Sequence, residues 1–315
     1  MTPTSPRRAV ARARPRRSGF WLRLGVWLAT LLVIAYVAIS VAAAWILTTP
    51  VRRVANVTPA SAALAFEDVR FRARGGDAHI AGWYIPFASA RRAVILVHGK
   101  DSSRATEFGG HFVDLAARLH ERGFAVLMID LRGHGASGDG RFGFGLVERR
   151  DVIGAADWLE TQGFRPGSVG VLGVSLGAAS AIGATHDDPD IGALVSDCSF
   201  ADIYPVMQQH WSAASHLPDF FLPSTLLAGQ VLLGQDVARS RPVDEIDDLQ
   251  ARPVLIIHGA DDRFIPVSDG RALAAADPAA QYWEVPGAGH AGAFETAPAA
   301  YAERVATFFD TYLQP

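Results

Sequence analysis

Three residue types that together carry out acyl transfer stand at the ends of apolar runs in this chain: a serine, a carboxylate and a histidine. Ser175 lies in GVLGVSLGAAS (170–180), between a run of small apolar residues and a run of alanine, and is bracketed by Gly173 and Gly177. A serine at such a join either caps the first turn of a helix or serves as a nucleophile on a strained turn. Asp261 and Asp262 follow the apolar run 254–258, VLIIH. His290 closes the glycine-rich stretch PGAGH after the run 281–285. A serine hydroxyl is a poor nucleophile near neutral pH and needs a base. A histidine base needs an acid that fixes its tautomer and stabilises its cation. The set supports attack of a hydroxyl on a carbonyl carbon, with the imidazole moving the proton.

Residues this far apart meet only if a scaffold gathers them. Strand-like runs lie at 67–73, 79–85, 93–98, 124–130, 169–174, 191–197, 254–258 and 281–285. From 93 onward they are short and continuously apolar, as suits strands buried on both faces. Helical stretches lie between them, at about 104–122, 146–163, 176–186, 268–276 and 296–312. The alternation predicts an α/β fold with a mostly parallel sheet and helices on both faces. Ligands of such sheets bind beyond the carboxyl ends of the strands, where Ser175, Asp261, Asp262 and His290 all fall. One connection is long: more than 50 residues separate Asp197 from Val254, including the apolar, helix-like FFLPSTLLAGQVLLG (220–234). A connection of that length is usually functional, so a lid or cap is expected at about 200–250. A pair of ordinary packing helices is the alternative.

Other strand ends carry His98-Gly99-Lys100-Asp101 and Leu131-Arg132-Gly133-His134-Gly135-Ala136-Ser137. With HGKDSS, DLRGHGASG, GVSLG, HGADDRFIP and PGAGH in this order, the chain from about 66 to 313 resembles an α/β-hydrolase-fold serine hydrolase. It is most similar to membrane-anchored bacterial members related to prolyl-oligopeptidase-type and BAAT-like acyl hydrolases. The resemblance makes Gly173-Val174-Ser175-Leu176-Gly177 a nucleophile elbow, whose glycines leave room for neighbouring backbone. It implies Ser175 as nucleophile, His290 as base and Asp262 as acid, with Asp261 in reserve. The Leu176 and Lys100 backbone N–H groups are the implied oxyanion donors. Asp130 is implied as the anchor of the RGHG loop, with His98 and His134 structural. His186, His210 and His216 read as surface or lid residues. Glu148 and Asp151 read as acidic residues favoured by a helix dipole. The chain departs from lipase-type relatives in carrying HGK for HGG. It has no propeller domain, which counts against a peptidase that filters substrates by size.

The amino terminus has a different character. Arg7, Arg8, Arg12, Arg14, Arg16 and Arg17 precede 24 uncharged residues from Leu24 to Leu47. About 20 apolar residues span a bilayer as a helix, and Phe20, Trp21, Trp27 and Trp45 suit an aromatic belt. The expected division is a basic cytoplasmic tail (1–19), a transmembrane helix (20–47), a linker (48–65) and a hydrolase domain (66–315) outside the cytoplasm. A cleaved signal peptide is the main rival, although its apolar region is usually shorter. A buried core helix is the remaining alternative.

The net charge of −3 gives no global argument for nucleic-acid binding. The single cysteine, Cys198, excludes an intrachain disulfide and reads as a small buried hydrophobe. No zinc-protease, P-loop or dinucleotide motif is present, so neither cofactor nor metal is expected. Lys100 is the only lysine, and its side chain either meets an anionic substrate or is simply solvated. The sequence thus predicts hydrolysis of a small-molecule carboxylic ester or thioester. A small-peptide or amide hydrolase, and a binding protein on a hydrolase fold, are the alternatives.

Overall fold

The computed structural model describes residues 18–54, 56–249 and 252–315. The arginine-rich start of the chain, residues 1–17, lies outside the described residues. The first element is helix α1 (Ser18–Leu47), and after it the chain alternates strands and helices. Strands β1 (Glu67–Arg72) and β2 (His79–Ile85) form an antiparallel hairpin. The strands β3 (Ala93–Val97), β4 (Ala125–Asp130), β5 (Val169–Val174), β6 (Ile191–Asp197), β7 (Val254–Gly259) and β8 (Gln281–Val285) follow. All eight join one sheet in the order β1-β2-β4-β3-β5-β6-β7-β8. Pairing is parallel from β4 to β8, and β2 pairs antiparallel to β4. This is the mostly parallel eight-stranded sheet that the resemblance implies.

The central strands explain their own legibility. β3, β4, β5 and β7 are buried along their whole length, so neither face needs polar residues. Two apolar layers cover them. One contains Ile95, Leu127 and Val171 with Val152 and Ile182, and the other Leu96, Met128 and Leu172 with Phe112 and Phe309. Each such Val, Leu, Ile or Phe contributes about 1.5–3 kcal/mol on burial. Helices α2 (Phe112–Glu121), α3 (Arg149–Thr161) and α4 (Leu176–Asp187) pack on the sheet with α7 (Val267–Ala276), α8 (Ala293–Thr296) and α9 (Pro298–Tyr312). Pro298 opens α9 at a position where a missing N–H costs nothing.

The helix expected over 104–122 begins late. Residues 107–110 form a tight turn in which Phe108 (φ 52°) and Gly109 (φ 63°) are left-handed, and α2 starts only at Phe112. Glu107 is buried there and its carboxylate accepts from the Gly99 N–H at 2.7 Å. That contact places the side chain where a continuous helix would not.

The long connection holds α5 (Ile203–Ser215) and α6 (Leu222–Leu233), followed by short 3-10 turns to Asp248. Asp202 caps α5 by accepting from the Tyr204 N–H, and Gly234 in the left-handed region ends α6. α6 packs alongside α1. The segment after α1 is tied to the sheet's loops. The Thr48 carbonyl accepts from the Phe142 N–H at 3.1 Å, and the Val51 N–H donates to Asp101 Oδ1 at 2.9 Å. The Arg52 guanidinium donates to the Gly135 and Ser137 carbonyls.

Candidate active site

Ser175 is the residue between β5 and α4. Its backbone is held at φ 54°, ψ −115°, a conformation costing roughly 1–3 kcal/mol that the surroundings must impose. Two glycines make the turn possible by having no side chain. A Cβ on Gly173 would lie 2.2 Å from the Gly177 carbonyl oxygen, and one on Gly177 would lie 2.5 Å from that of His98. The turn directs the hydroxyl beyond the strand's carboxyl end, where Ser175 Oγ lies 2.9 Å from His290 Nε2.

His290 Nδ1 lies 2.7 Å from Asp262 Oδ2. The carboxylate can only accept, so the proton sits on Nδ1 and the Nε2 lone pair faces the serine hydroxyl. Asp262 Oδ1 accepts from the Phe264 and Ile265 N–H groups at 2.8 and 2.9 Å. Burial pushes the Asp262 carboxyl up, but the hydrogen bonds from His258 and His290 outweigh it. The group is held well below the usual carboxylate range. The three residues form one hydrogen-bonded line. Asp261, the reserve acid, is exposed.

His258 was given no role from the sequence, since it reads as the end of an apolar strand. It is fully buried, its Nε2–H donates to the Ile265 carbonyl at 3.0 Å, and the same atom lies 3.5 Å from Asp262 Oδ2. It therefore braces the turn that carries Asp262.

The other strand ends build the opposite wall. Leu176 is the first residue of α4, so its N–H has no acceptor within the helix. A Cβ on Gly99 would lie 3.3 Å from Ser175 Cβ, so the loop carrying Lys100 runs against the serine. Glu107 occupies the Gly99 N–H and thereby fixes that loop; this role was also invisible in the sequence. His98 Nε2 accepts from the Leu131 N–H, and His134 Nε2 accepts from the Asp101 N–H. Both rings are structural, and burial lowers the His134 pKa to about 4. Asp130 accepts from the Arg104 and Ala136 N–H groups and so anchors the RGHG loop. The Lys100 ammonium is paired with Asp101 and lies 5.0 Å from the Phe142 ring centroid.

The helix-dipole reading of Glu148 and Asp151 is too weak. Both are fully buried. Glu148 accepts from the Gly143 and Gly145 N–H groups, and Asp151 binds the Arg132 guanidinium and backbone. They hold the loop between β4 and α3. Of the remaining histidines, His186 pairs with Asp187 and His216 ends α5. His210, on α5, stacks on Phe264 at 4.6 Å, and Phe264 lies 5.0 Å from His290. Cys198 is buried.

Ser175 opens into a cavity of about 350 Å³ whose walls are mostly apolar. Leu176, Lys100 and Phe264 line it near the serine, with Ile203 and Met207 from α5 and Leu226 from α6. A larger open groove of about 780 Å³ beside α2 and α9 shares no lining residue with it and contains no serine.

A family model described as X-Pro dipeptidyl-peptidase (S15 family) matches residues 86–285. The chain belongs to that family. It is a serine hydrolase of the α/β-hydrolase fold. An uncharacterized protein of Mycobacterium tuberculosis is 31% identical to this hydrolase over 245 residues, 76% of each chain. The lysophosphatidylserine lipase of Danio rerio is 27% identical over 209 residues, 64% of this chain and 51% of that one. Among solved structures, an esterase of Pyrococcus furiosus superposes with a TM-score of 0.69 at 24% identity, covering 85% of the hydrolase and 98% of the esterase.

One buried acid beside the site has a measurable consequence. Asp197, at the end of β6, accepts from the Tyr301 hydroxyl at 2.9 Å, and its Oδ1 has no hydrogen-bond partner among the described residues. Burial pushes its pKa up to about 6, against the opposing pull of Tyr301, His258 and His290. Below about pH 4 the carboxyl is protonated folded or unfolded, and nothing is lost. From there to about pH 6 the folded state keeps a proton that the unfolded chain releases, so stability falls as pH rises. The full penalty, roughly 3 kcal/mol, applies above that window. Asp197→Asn is expected to abolish this term. The melting-temperature gap between variant and wild type should move in the variant's favour between pH 4.5 and pH 8; parallel profiles would refute the assignment.

Proposed function

We propose that this hydrolase cleaves carboxylic esters or thioesters through an acyl-enzyme on Ser175. The observation that carries the reading is the continuous Ser175–His290–Asp262 hydrogen-bonded line at the edge of an apolar cavity. Ser175 Oγ attacks the acyl carbon while its proton passes to His290 Nε2. The Leu176 and Lys100 N–H groups stabilise the oxyanion. The tetrahedral species collapses, the leaving alcohol or thiol takes the proton from His290, and the acyl group stays on Ser175. Water, deprotonated by His290, then releases the acid and restores the serine. Asp262 keeps the imidazole in the required tautomer and stabilises its cation.

The family's description favours a second reading, removal of dipeptides from a peptide amino terminus. That reaction needs a carboxylate for the substrate's ammonium group. Among the described residues, Asp101 is the carboxylate that lines the cavity, and it is engaged by Lys100 and by the Val51 N–H. The apolar lining therefore supports an acyl chain better than a charged peptide end.

The hydrolase is anchored by α1, with the arginine-rich end in the cytoplasm and the catalytic domain outside. The anchor reading is supported over a cleaved signal peptide by the contacts α1 makes with α6 and the segment after it with the active-site loops. The test is a fluorophosphonate probe followed by nitrophenyl esters and Xaa-Pro anilides on the full chain. Labelling at Ser175 with ester turnover is expected. Anilide cleavage without ester cleavage would favour the peptidase reading, and no labelling of folded protein would overturn both.

A further inference from the structure

The cap and the amino-terminal helix are not separate devices. α1 is 30 residues long, and within Gly19–Leu47 an 18-residue window reaches a mean hydropathy of 2.4, so the helix is long and apolar enough to cross a membrane. α6 lies against its second half. The Tyr36 hydroxyl donates to the Phe220 carbonyl at 2.9 Å, Ser40 Oγ lies 2.8 Å from Ser224 Oγ, and the Tyr36 ring stacks on Phe221 at 4.8 Å. The outer end of α1 is fixed by polar contacts. Arg141 donates to the Trp45 carbonyl and the Thr48 and Thr49 hydroxyls, with its guanidinium 3.3 Å from the Trp45 ring centroid. Those groups mark a membrane–water boundary. Tyr36 lies 11 residues before Leu47, about 16 Å deeper along the helix, or roughly half of a 30 Å hydrocarbon core.

The turn that touches α1 at that depth, Asp219–Phe221, is then inside the bilayer, and α6, which continues from it and meets Ser40 through Ser224, follows it there. The composition of α6 agrees: LPSTLLAGQVLL carries no charge, and its unpartnered face exposes Leu227 (62%) and Val231 (78%), next to Phe220 (64%). Water is a poor solvent for that face, and acyl chains are a good one. The same pair of helices also walls the cavity that reaches Ser175. Ala44 and Leu47 come from α1, and Leu222, Leu226 and Gly229 come from α6.

We propose that α6 is embedded in the outer leaflet beside α1, and that the cavity takes the acyl chain of a single-chain amphiphilic ester directly from that leaflet. The substrate part of this inference rests on the ester-hydrolase reading above, whereas the position of α6 does not. The ester carbonyl meets Ser175 at the membrane surface while the chain lies between the two helices. α1 is then part of the substrate site as well as an anchor.

The full chain in phosphatidylcholine nanodiscs tests this. An environment-sensitive fluorophore on Val231→Cys reports depth, because the native thiol, Cys198, is buried. Blue-shifted emission quenched by acyl-brominated lipid is expected; water-like, unquenched emission would overturn the placement of α6. The double variant Leu227→Asp/Val231→Asp should hydrolyse a palmitoyl ester in vesicles at least tenfold more slowly than wild type, with turnover of a soluble butyryl ester unchanged. Equal loss on both esters, or on neither, would refute delivery through α6. A Cβ on Gly229 meets nothing within 4 Å, so a larger side chain can be rooted there, and Gly229→Trp, which takes up cavity volume, should lower the palmitoyl-to-butyryl ratio at least tenfold. An unchanged ratio would remove the chain from this cavity. If wild type neither labels with fluorophosphonate nor turns over the butyryl ester, it is the ester-hydrolase reading that fails, and the fluorophore still decides where α6 lies.

Discussion

Ser175→Ala is expected to lower kcat for an activated ester by about 10⁴–10⁶, and His290→Ala on top of it should cost little more. In the proposed mechanism the two side chains act as one unit: the hydroxyl attacks only as its proton passes to Nε2, 2.9 Å away. Removing either abolishes the same step, so the losses do not add. What survives should be the contribution of the oxyanion donors and of binding, on the order of 10³ over water. The folded state should survive as well, and alanine relieves no strain because the positive φ belongs to the turn rather than to the hydroxyl. Measuring kcat/KM for wild type, both single variants and the double variant closes the cycle. Additive losses in the double variant would mean that Ser175 and His290 serve separate steps.

The sequence made the framework legible wherever one physical constraint dominated. Strands buried on both faces must be uninterrupted apolar runs, so β5 and β6 have the bounds that the sequence reading assigns them. The elbow was legible because two glycines bracket a serine, and their clashes with Gly177 and His98 backbone show why no other residue fits. The left-handed turn at Phe108 was not legible, because it depends on Glu107 reaching Gly99 across a loop. The burial of Glu148 and Asp151 was hidden in the same way. A charged residue at a helix start looks solvated until its partners, here loop N–H groups and Arg132, are known. His258 was hidden by its strand, since a histidine closing an apolar run gives no sign of a carboxylate four residues on. Local patterning thus picked out the serine, histidine and aspartate that the structure brings together, while the groups that hold their loops show their roles only once those loops are folded.

The choice between adjacent aspartates supplies the second large effect. Asp262→Asn is expected to lower kcat by roughly 10³–10⁴ at neutral pH while leaving KM within a few-fold. An asparagine can present its NH₂ to His290 Nδ1, which turns the ring tautomer over and places a proton on Nε2, where the base is needed. The carboxylate does not permit this, because it only accepts, and because its hydrogen bonds from His258 and His290 keep it ionised far into acid. The pH profile carries the same signature. Wild-type kcat/KM should show no separate loss of Asp262 charge at ordinary acidic pH. The variant should recover part of its activity at high pH, where the wrong tautomer can be bypassed by hydroxide. Asp261→Asn, one residue away, should change kcat by less than about twofold, since that side chain is exposed and surface substitutions of this kind are usually near neutral. If Asp261→Asn were the damaging change and Asp262→Asn the harmless one, the acid would be misassigned. If both were harmless, His290 would be held by its loop alone, and the line from Ser175 to Asp262 would be packing rather than mechanism.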